Sequence, residues 1–258
     1  MGHERVGSLP RSIRWRRIVE QIHGSPQSDT IIASISGETL ENVRTRLDRI
    51  QTDPGVKAAF RFLVALPICA ASPQMAGDAS LSIDFKDNPS ALRITTFLRQ
   101  WVETRQGSLE YAEIAQRAAA DAIVKWTRRQ KVQGDILLGE PSAAEVWGKA
   151  ASGAGFCEVA RLFFANFTER YLNYFLEREA SSVLPNIEER ERFALGIRNH
   201  VNNISKHAFE TARITQSFAA GWYNKHARDR LPSEREIEGF LSIAFGKIRE
   251  ELLREQIH

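Results

Sequence analysis

The stretch GFCEVARLFFANFTERYLNYFLEREASSVLPNIEERERFALGIRNHVNNISKHAF, residues 155–209, decides the fold. Its first half carries Phe156, Phe163, Phe164, Phe167, Tyr171, Tyr174 and Phe175 at spacings of three and four, the period of a helix buried along a face. Pro185-Asn186 interrupts the run and opens a second stripe of Phe193, Ile197, Val201, Ile204 and Ala208. That stripe continues through Phe218 and Trp222, so a single helix over 186–228 would be about 60 Å long at 1.5 Å per residue. Gly196 and Gly221 are candidate bends. Ser233 and Glu236 then form a capping box for a last helix whose core face is Ile237, Phe240, Leu241, Ala244, Ile248 and Leu252.

Working toward the N-terminus, the same period recurs. Trp15, Ile18, Val19 and Ile22 share a face, and Leu40, Val43, Leu47 and Ile50 mark a second short helix. A third starts at Asp53-Pro54-Gly55 and runs to a break expected at Pro67. Its apolar run, residues 62–71, is shorter than the ~20 residues of a membrane span and reads as core. Asn88-Pro89 and Ser108 open two more helices, carrying Leu92, Ile94, Phe97, Leu98 and Trp101, then Ile114, Ala115, Ala118, Ala122 and Trp126. Only residues 81–86, where Leu81, Ile83 and Phe85 alternate with polar neighbours, carry a strand period, with a partner available at 136–138. The expected fold is therefore all-α, a bundle with long antiparallel C-terminal helices and at most one minor two-stranded β patch at 81–86 and 136–138. The division expected is an N-terminal helical region, 1–135, and a C-terminal long-helix bundle, 142–258, with one continuous α domain as the alternative.

Composition narrows the chemistry. The chain has 258 residues, 43% of them hydrophobic and 26% charged, which suits a folded globular protein. Two cysteines, Cys69 and Cys157, make neither a disulfide framework nor a four-thiolate zinc site. The start, MGHERVGSLPRSIRWRR, has no apolar signal core, so a cytoplasmic location without membrane attachment is expected. The formal net charge of +3 is too mild to imply nucleic acid by itself. Eight of the 35 cations are lysines and 27 are arginines, the residue that pairs with carboxylate and phosphate in a planar, two-pronged way.

A catalytic kit is hard to find. No Gly-x4-Gly-Lys-Ser/Thr phosphate loop occurs, and Ser152-Gly153-Ala154-Gly155 follows a helix where a dinucleotide loop would follow a strand. The six histidines include no His-Glu-x-x-His; His200 and His207 stand about 10 Å apart along one helix and cannot share a zinc ion. No metal site and no cofactor are therefore expected. Arg198, His200 and His207 are the weak candidates for a divergent helical nuclease, on a polar ridge shared with Asn203. The Arg-x4-6-His spacing of helical ribonucleases is not met by them. Where it does occur, from Arg16 and Arg17 to His23, it matches the roughly two hits that chance gives in so arginine-rich a chain. Asp84-Phe85-Lys86 resembles the end of an Asp…Glu-x-Lys nuclease motif but lacks a sheet around it.

Two basic segments remain as candidate contacts for a nucleic acid or a protein: Arg14, Arg16 and Arg17, and Lys125, Arg128, Arg129 and Lys131. The second lies at a helix C-terminus, where cations also complement the dipole by ~0.3–1 kcal/mol each. Aromatic residues and arginine are both enriched at protein interfaces. The reading that follows is a non-enzymatic helical adaptor that docks protein partners in a bacterial multi-protein system. Anti-phage defence is one setting where such small helical chains occur. A helical DNA- or RNA-binding protein using the two basic segments is the alternative.

Overall fold

The computed structural model describes residues 12–24, 28–42, 49–72, 83–105, 109–132, 139–210, 218–228 and 230–254. Among them are ten α-helices: α1 (Ile13–His23), α2 (Asp29–Asn42), α3 (Pro54–Ala71), α4 (Ala91–Glu103), α5 (Leu109–Val132), α6 (Ala143–Ala150), α7 (Gly153–Val183), α8 (Ile187–Glu210), α9 (Phe218–His226) and α10 (Glu234–Arg254). The described residues contain no strand. Residues 83–84 are irregular and Phe85–Asp87 form a 3-10 turn, which corrects the β expectation for that segment. The turn closes because Asp84 Oδ1 accepts from the Lys86 amide at 2.9 Å and Asn88 adopts the left-handed conformation at φ 46°. Residues 81, 82 and 136–138 lie outside the described residues.

Helix α7 is the axis of the fold, and α1, α2, α3, α5, α6, α8 and α9 all pack against it. It buries a broad aromatic stripe on one face: Phe156, Phe163, Phe164, Phe167, Tyr171 and Phe175 are each fully enclosed. Phe60 of α3 lies flat on Phe240 of α10, with centroids 5.1 Å apart, and packs against Phe163 and Phe164 at 5.4 Å. Phe164 also meets Phe245 edge to face at 4.9 Å. Offset and edge-on ring pairs of this kind contribute about 0.5–1.5 kcal/mol each beyond their buried area. The buried side chains form one contiguous cluster running from Trp15 to Leu252.

Helix α3 is, among the described residues, the one helix long and apolar enough to cross a bilayer by length and composition, but 72% of it is buried inside the protein. It continues past Pro67, against the expected break: Ile68 and Cys69 are buried, and the Ser72 amide still closes on the Ile68 carbonyl at 2.8 Å. Burial of the last turn outweighs the hydrogen bond that proline removes. Two glycines allow close approach. A Cβ on Gly55 would stand 2.4 Å from Ala112 Cβ of α5, and one on Gly155 would stand 2.2 Å from the Lys149 carbonyl oxygen, so α6 and α7 turn sharply on each other.

Helices α7 and α8 are joined by polar contacts as well as by packing. Arg161 is buried, with 6% exposure, and every prong of its guanidinium is used. It donates to both Glu158 oxygens at 2.8 and 2.9 Å, and to Asn202 Oδ1 and Ser205 Oγ of α8 at 3.1 and 3.3 Å. At the far end of the chain Ser233 and Glu236 cap α10 reciprocally, the Ser233 amide donating to Glu236 Oε2 at 2.8 Å and the Glu236 amide to Ser233 Oγ at 3.3 Å. Arg230 and His226 also pair with Glu236, and these donors together hold its carboxyl far below the ordinary carboxylate range.

Candidate functional site

On α7 the residues Asn166, Glu169, Arg170, Asn173, Tyr174 and Glu177 recur at three and four, so they form one stripe along the helix. Helix α5 presents Glu110, Glu113, Ile114, Arg117, Asp121 and Lys125 at the same period, and α8 adds Ala194 and Arg198. Apart from Asn166, these residues line a groove of about 690 Å³ between the three helices. That volume lies within the range of ordinary ligand sites.

One end of the groove is tightly paired. Arg170 donates to Asp121 Oδ2 at 2.6 Å, Arg198 to Glu169 Oε1 at 2.8 Å, and Lys125 Nζ to Asn166 Oδ1 at 2.5 Å. The Glu169 hydrogen bond and charge, with Asp121 beyond, push the Arg198 pKa above its ordinary value. The other end is different. Arg117 is held by Glu113 of its own helix at 2.6 Å, both side chains being well exposed. Glu177 has no hydrogen-bond or ion-pair partner among the described residues, and partial desolvation pushes its carboxyl pKa up, with Glu169 adding to the shift and Arg170 opposing it. Asn173 is only 9% exposed and its Oδ1 has no partner among the described residues. A buried amide oxygen left unsatisfied costs about 1–3 kcal/mol, and in the same groove the Arg170 Nε is likewise buried and unbonded.

The candidates named from sequence are dispersed. Arg198 and Lys125 line the groove. His200 is about 200° round α8 from Arg198 and half-buried, and His207 is exposed on that same flank, so the three do not converge. Arg129 is engaged with Glu158 at 2.6 Å and Lys131 with Glu140 at 2.8 Å. Arg128 and Lys131 border a second cavity of about 430 Å³, beside Val124, Val132 and Trp147. Arg14, Arg16 and Arg17 are exposed on α1, whose Trp15 Nε1 donates to Glu179 at 2.9 Å. Glu158 and Glu179, the anchor points of the two basic segments, are about 31 Å apart along α7 at 1.5 Å per residue. The segments are thus two separate patches.

The remaining reactive side chains are in packing roles. Cys69 is buried in α3 and burial pushes its thiol up to about 11, far from a nucleophile's range. Cys157 Sγ donates to the Phe209 carbonyl at 3.8 Å. Among the described residues no three His, Cys, Asp or Glu side chains are grouped so as to hold a metal ion. What the groove offers chemically is a set of donors and acceptors of both signs, fixed on three helices. Sequence reasoning passed over Asp121, Glu169, Arg170, Asn173 and Glu177. One signal was available: Asn173 is the single amide inside the apolar run Tyr171-Leu172-Asn173-Tyr174-Phe175-Leu176. No family model matches the chain, and no curated protein or solved structure matches it either.

Proposed function

We propose that the chain acts by docking a protein partner, as a non-enzymatic subunit of a cytoplasmic multi-protein system, and that the partner lies in the groove between α5, α7 and α8. The observation that carries this reading is the groove itself, about 690 Å³ with cations and carboxylates on α5 and α7 and Arg198 on α8. Charges of both signs on rigid elements give a polypeptide register and orientation, the use to which interfaces put their polar contacts. Helices α7 and α8, taken as an antiparallel pair locked by Arg161, supply a stiff floor. Three aromatic residues of the C-terminal helices are committed to the core instead: Phe209 and Tyr223 are each 1% exposed, and Trp222 packs on Phe240 at 4.7 Å.

The test compares the tagged wild-type chain with an Arg117→Glu/Arg198→Glu variant, both recovered from the native host at low salt with nuclease treatment. The expected result is a protein retained by the wild type through nuclease treatment and lost from the variant. Retention that depends on nucleic acid, retention unaffected by the variant, or no retained protein overturns the reading.

A further inference from the structure

The two ends of the groove differ in what they lack. Contacts between α5 and α7 run Arg129 with Glu158, Lys125 with Asn166, Asp121 with Arg170 and Tyr111 with Tyr171, so residue numbers fall on one helix as they rise on the other. This register puts Glu110, Glu113 and Ile114 level with Asn173, Tyr174 and Glu177 at one end of the groove. The opposite end holds Asp121, Lys125, Glu169, Arg170 and Arg198, where each cation already has an acceptor, though the buried Arg170 Nε is left unbonded among the described residues. At the first end, Arg117 is taken by Glu113, and the Glu177 carboxylate has no partner among the described residues. The surplus there is of acceptors and negative charge.

Two of those acceptors stand out. Asn173 Oδ1 is without a partner, and Glu177 lies one turn further along the same face of α7, about 6 Å away by helical rise. Beside them are the Tyr174 ring, the buried Ile114 and the small Ala194. A compact group with several N–H donors and one positive charge, carried on a methylene chain, matches this set. Its ammonium would satisfy Asn173 and Glu177, and its methylenes would cover Ile114 and Ala194. A guanidinium would demand a planar fork, whereas the amide and carboxylate here offer separate single acceptors along the helix.

We infer that the Asn173–Glu177 end of the groove is a binding site for an alkylammonium group, supplied by a lysine side chain of the docked protein. The assignment rests on the docking reading above. It adds the residue type that anchors the partner: one lysine, seated where the groove has acceptors to spare, with the paired charges at the other end setting the direction of the chain.

The experiment uses the purified full chain labelled for nuclear magnetic resonance and titrated with Nα-acetyl-lysine methylamide. The Asn173 side-chain amide resonance is identified by its loss in Asn173→Leu. The expected result is a saturable shift of that resonance, with affinity weakened about tenfold or more in Glu177→Gln, the loss of one charge-assisted hydrogen bond. Glu177 is exposed enough that the Gln variant folds, which an unchanged circular dichroism spectrum verifies. No saturable shift at Asn173, or a shift that Glu177→Gln leaves unchanged, overturns the site. Tighter binding of n-pentylamine than of the lysine amide overturns the side-chain source, because the occupant would then be a free amine. A partner retained by the groove without any response to the lysine amide removes this inference and leaves docking intact. A response without a retained partner does the reverse.

Discussion

Helix α7 has two faces that solve opposite problems. On one, Phe156, Phe163, Phe164 and Phe167 are enclosed among rings from α3, α9 and α10, and nothing polar is needed to hold them. On the other, Glu169, Arg170, Asn173 and Glu177 border an open groove whose charges are matched at one end and surplus at the other. The first face is held by area removed from water and by ring packing. The second is held together mostly by partly exposed ion pairs, which contribute only about 0–1 kcal/mol each. Stability therefore sits on the aromatic face, and the groove's ion pairs add little to it.

The largest expected effect breaks the aromatic face. Phe164→Ala removes a ring in contact with Phe60, Phe209, Phe240 and Phe245 and leaves a cavity in a region with little freedom to collapse. A loss of about 3–5 kcal/mol in urea unfolding is expected. Arg198→Ala, on the groove, should cost less than about 1 kcal/mol. If the two variants lost comparable stability, the groove would be part of the scaffold and the contrast between the faces would fail.

How legible each face is in sequence follows from the same contrast. The aromatic face is local: apolar residues at three and four along 156–175 show it without knowledge of any other helix. Where local pattern and tertiary packing disagree, the reading is off. Helix α2 spans Asp29–Asn42, earlier than the stripe at Leu40, Val43, Leu47 and Ile50, of which residues 43–48 lie outside the described residues. Its Ile31-Ile32, Ser34, Ser36 and Gly37 are weak helix formers, and burial of Ile32, Ile35, Ser36 and Thr39 holds the helix regardless. The stripe expected to run unbroken from 186 to 228 is carried instead by α8 and α9, and residues 211–217 between them lie outside the described residues. The groove is non-local throughout: Asp121 meets Arg170 and Glu169 meets Arg198 across 49 and 29 positions. In sequence each is an ordinary charge on a polar helix face, so no spacing rule brings them together.

A smaller effect sharpens the contrast on α7 itself, which carries two buried asparagines seven residues apart. Asn166 is satisfied, its Nδ2 donating to the Leu162 carbonyl at 2.7 Å and its Oδ1 accepting from Lys125. Asn173 Oδ1 is not. Replacing each by leucine keeps the volume and removes the amide. Asn166→Leu should lose about 1 kcal/mol, while Asn173→Leu should gain about 1 kcal/mol, because it removes a desolvated group that forms no compensating bond. Urea unfolding of both variants checks the difference in sign. A loss at Asn173 equal to that at Asn166 would mean that its amide serves the fold.

The smallest effect is a pH dependence at Glu177, and its sign follows from the shift. Desolvation is the first cause that raises this carboxyl above its ordinary 4.5, Glu169 adds to it, and Arg170 works against both. The folded chain therefore keeps the Glu177 proton at a pH where the unfolded chain has already lost it. Stability contributed by this group is intact below 4.5 and falls as pH rises through the folded value. Glu177→Gln, which cannot ionise, is free of that loss, so its advantage over the wild type should be absent below 4.5 and present at neutral pH. More than a third of Glu177 is exposed, so water screens the effect and the difference in urea midpoint stays small. An advantage of equal size on both sides of 4.5 would show that the carboxyl is not desolvated as its place in the groove requires. Adding Nα-acetyl-lysine methylamide sharpens the test further. An ammonium seated on Glu177 favours the ionised carboxylate, so it should return to the wild type at neutral pH the stability that desolvation removes, and stabilise Glu177→Gln less, in line with its weaker affinity.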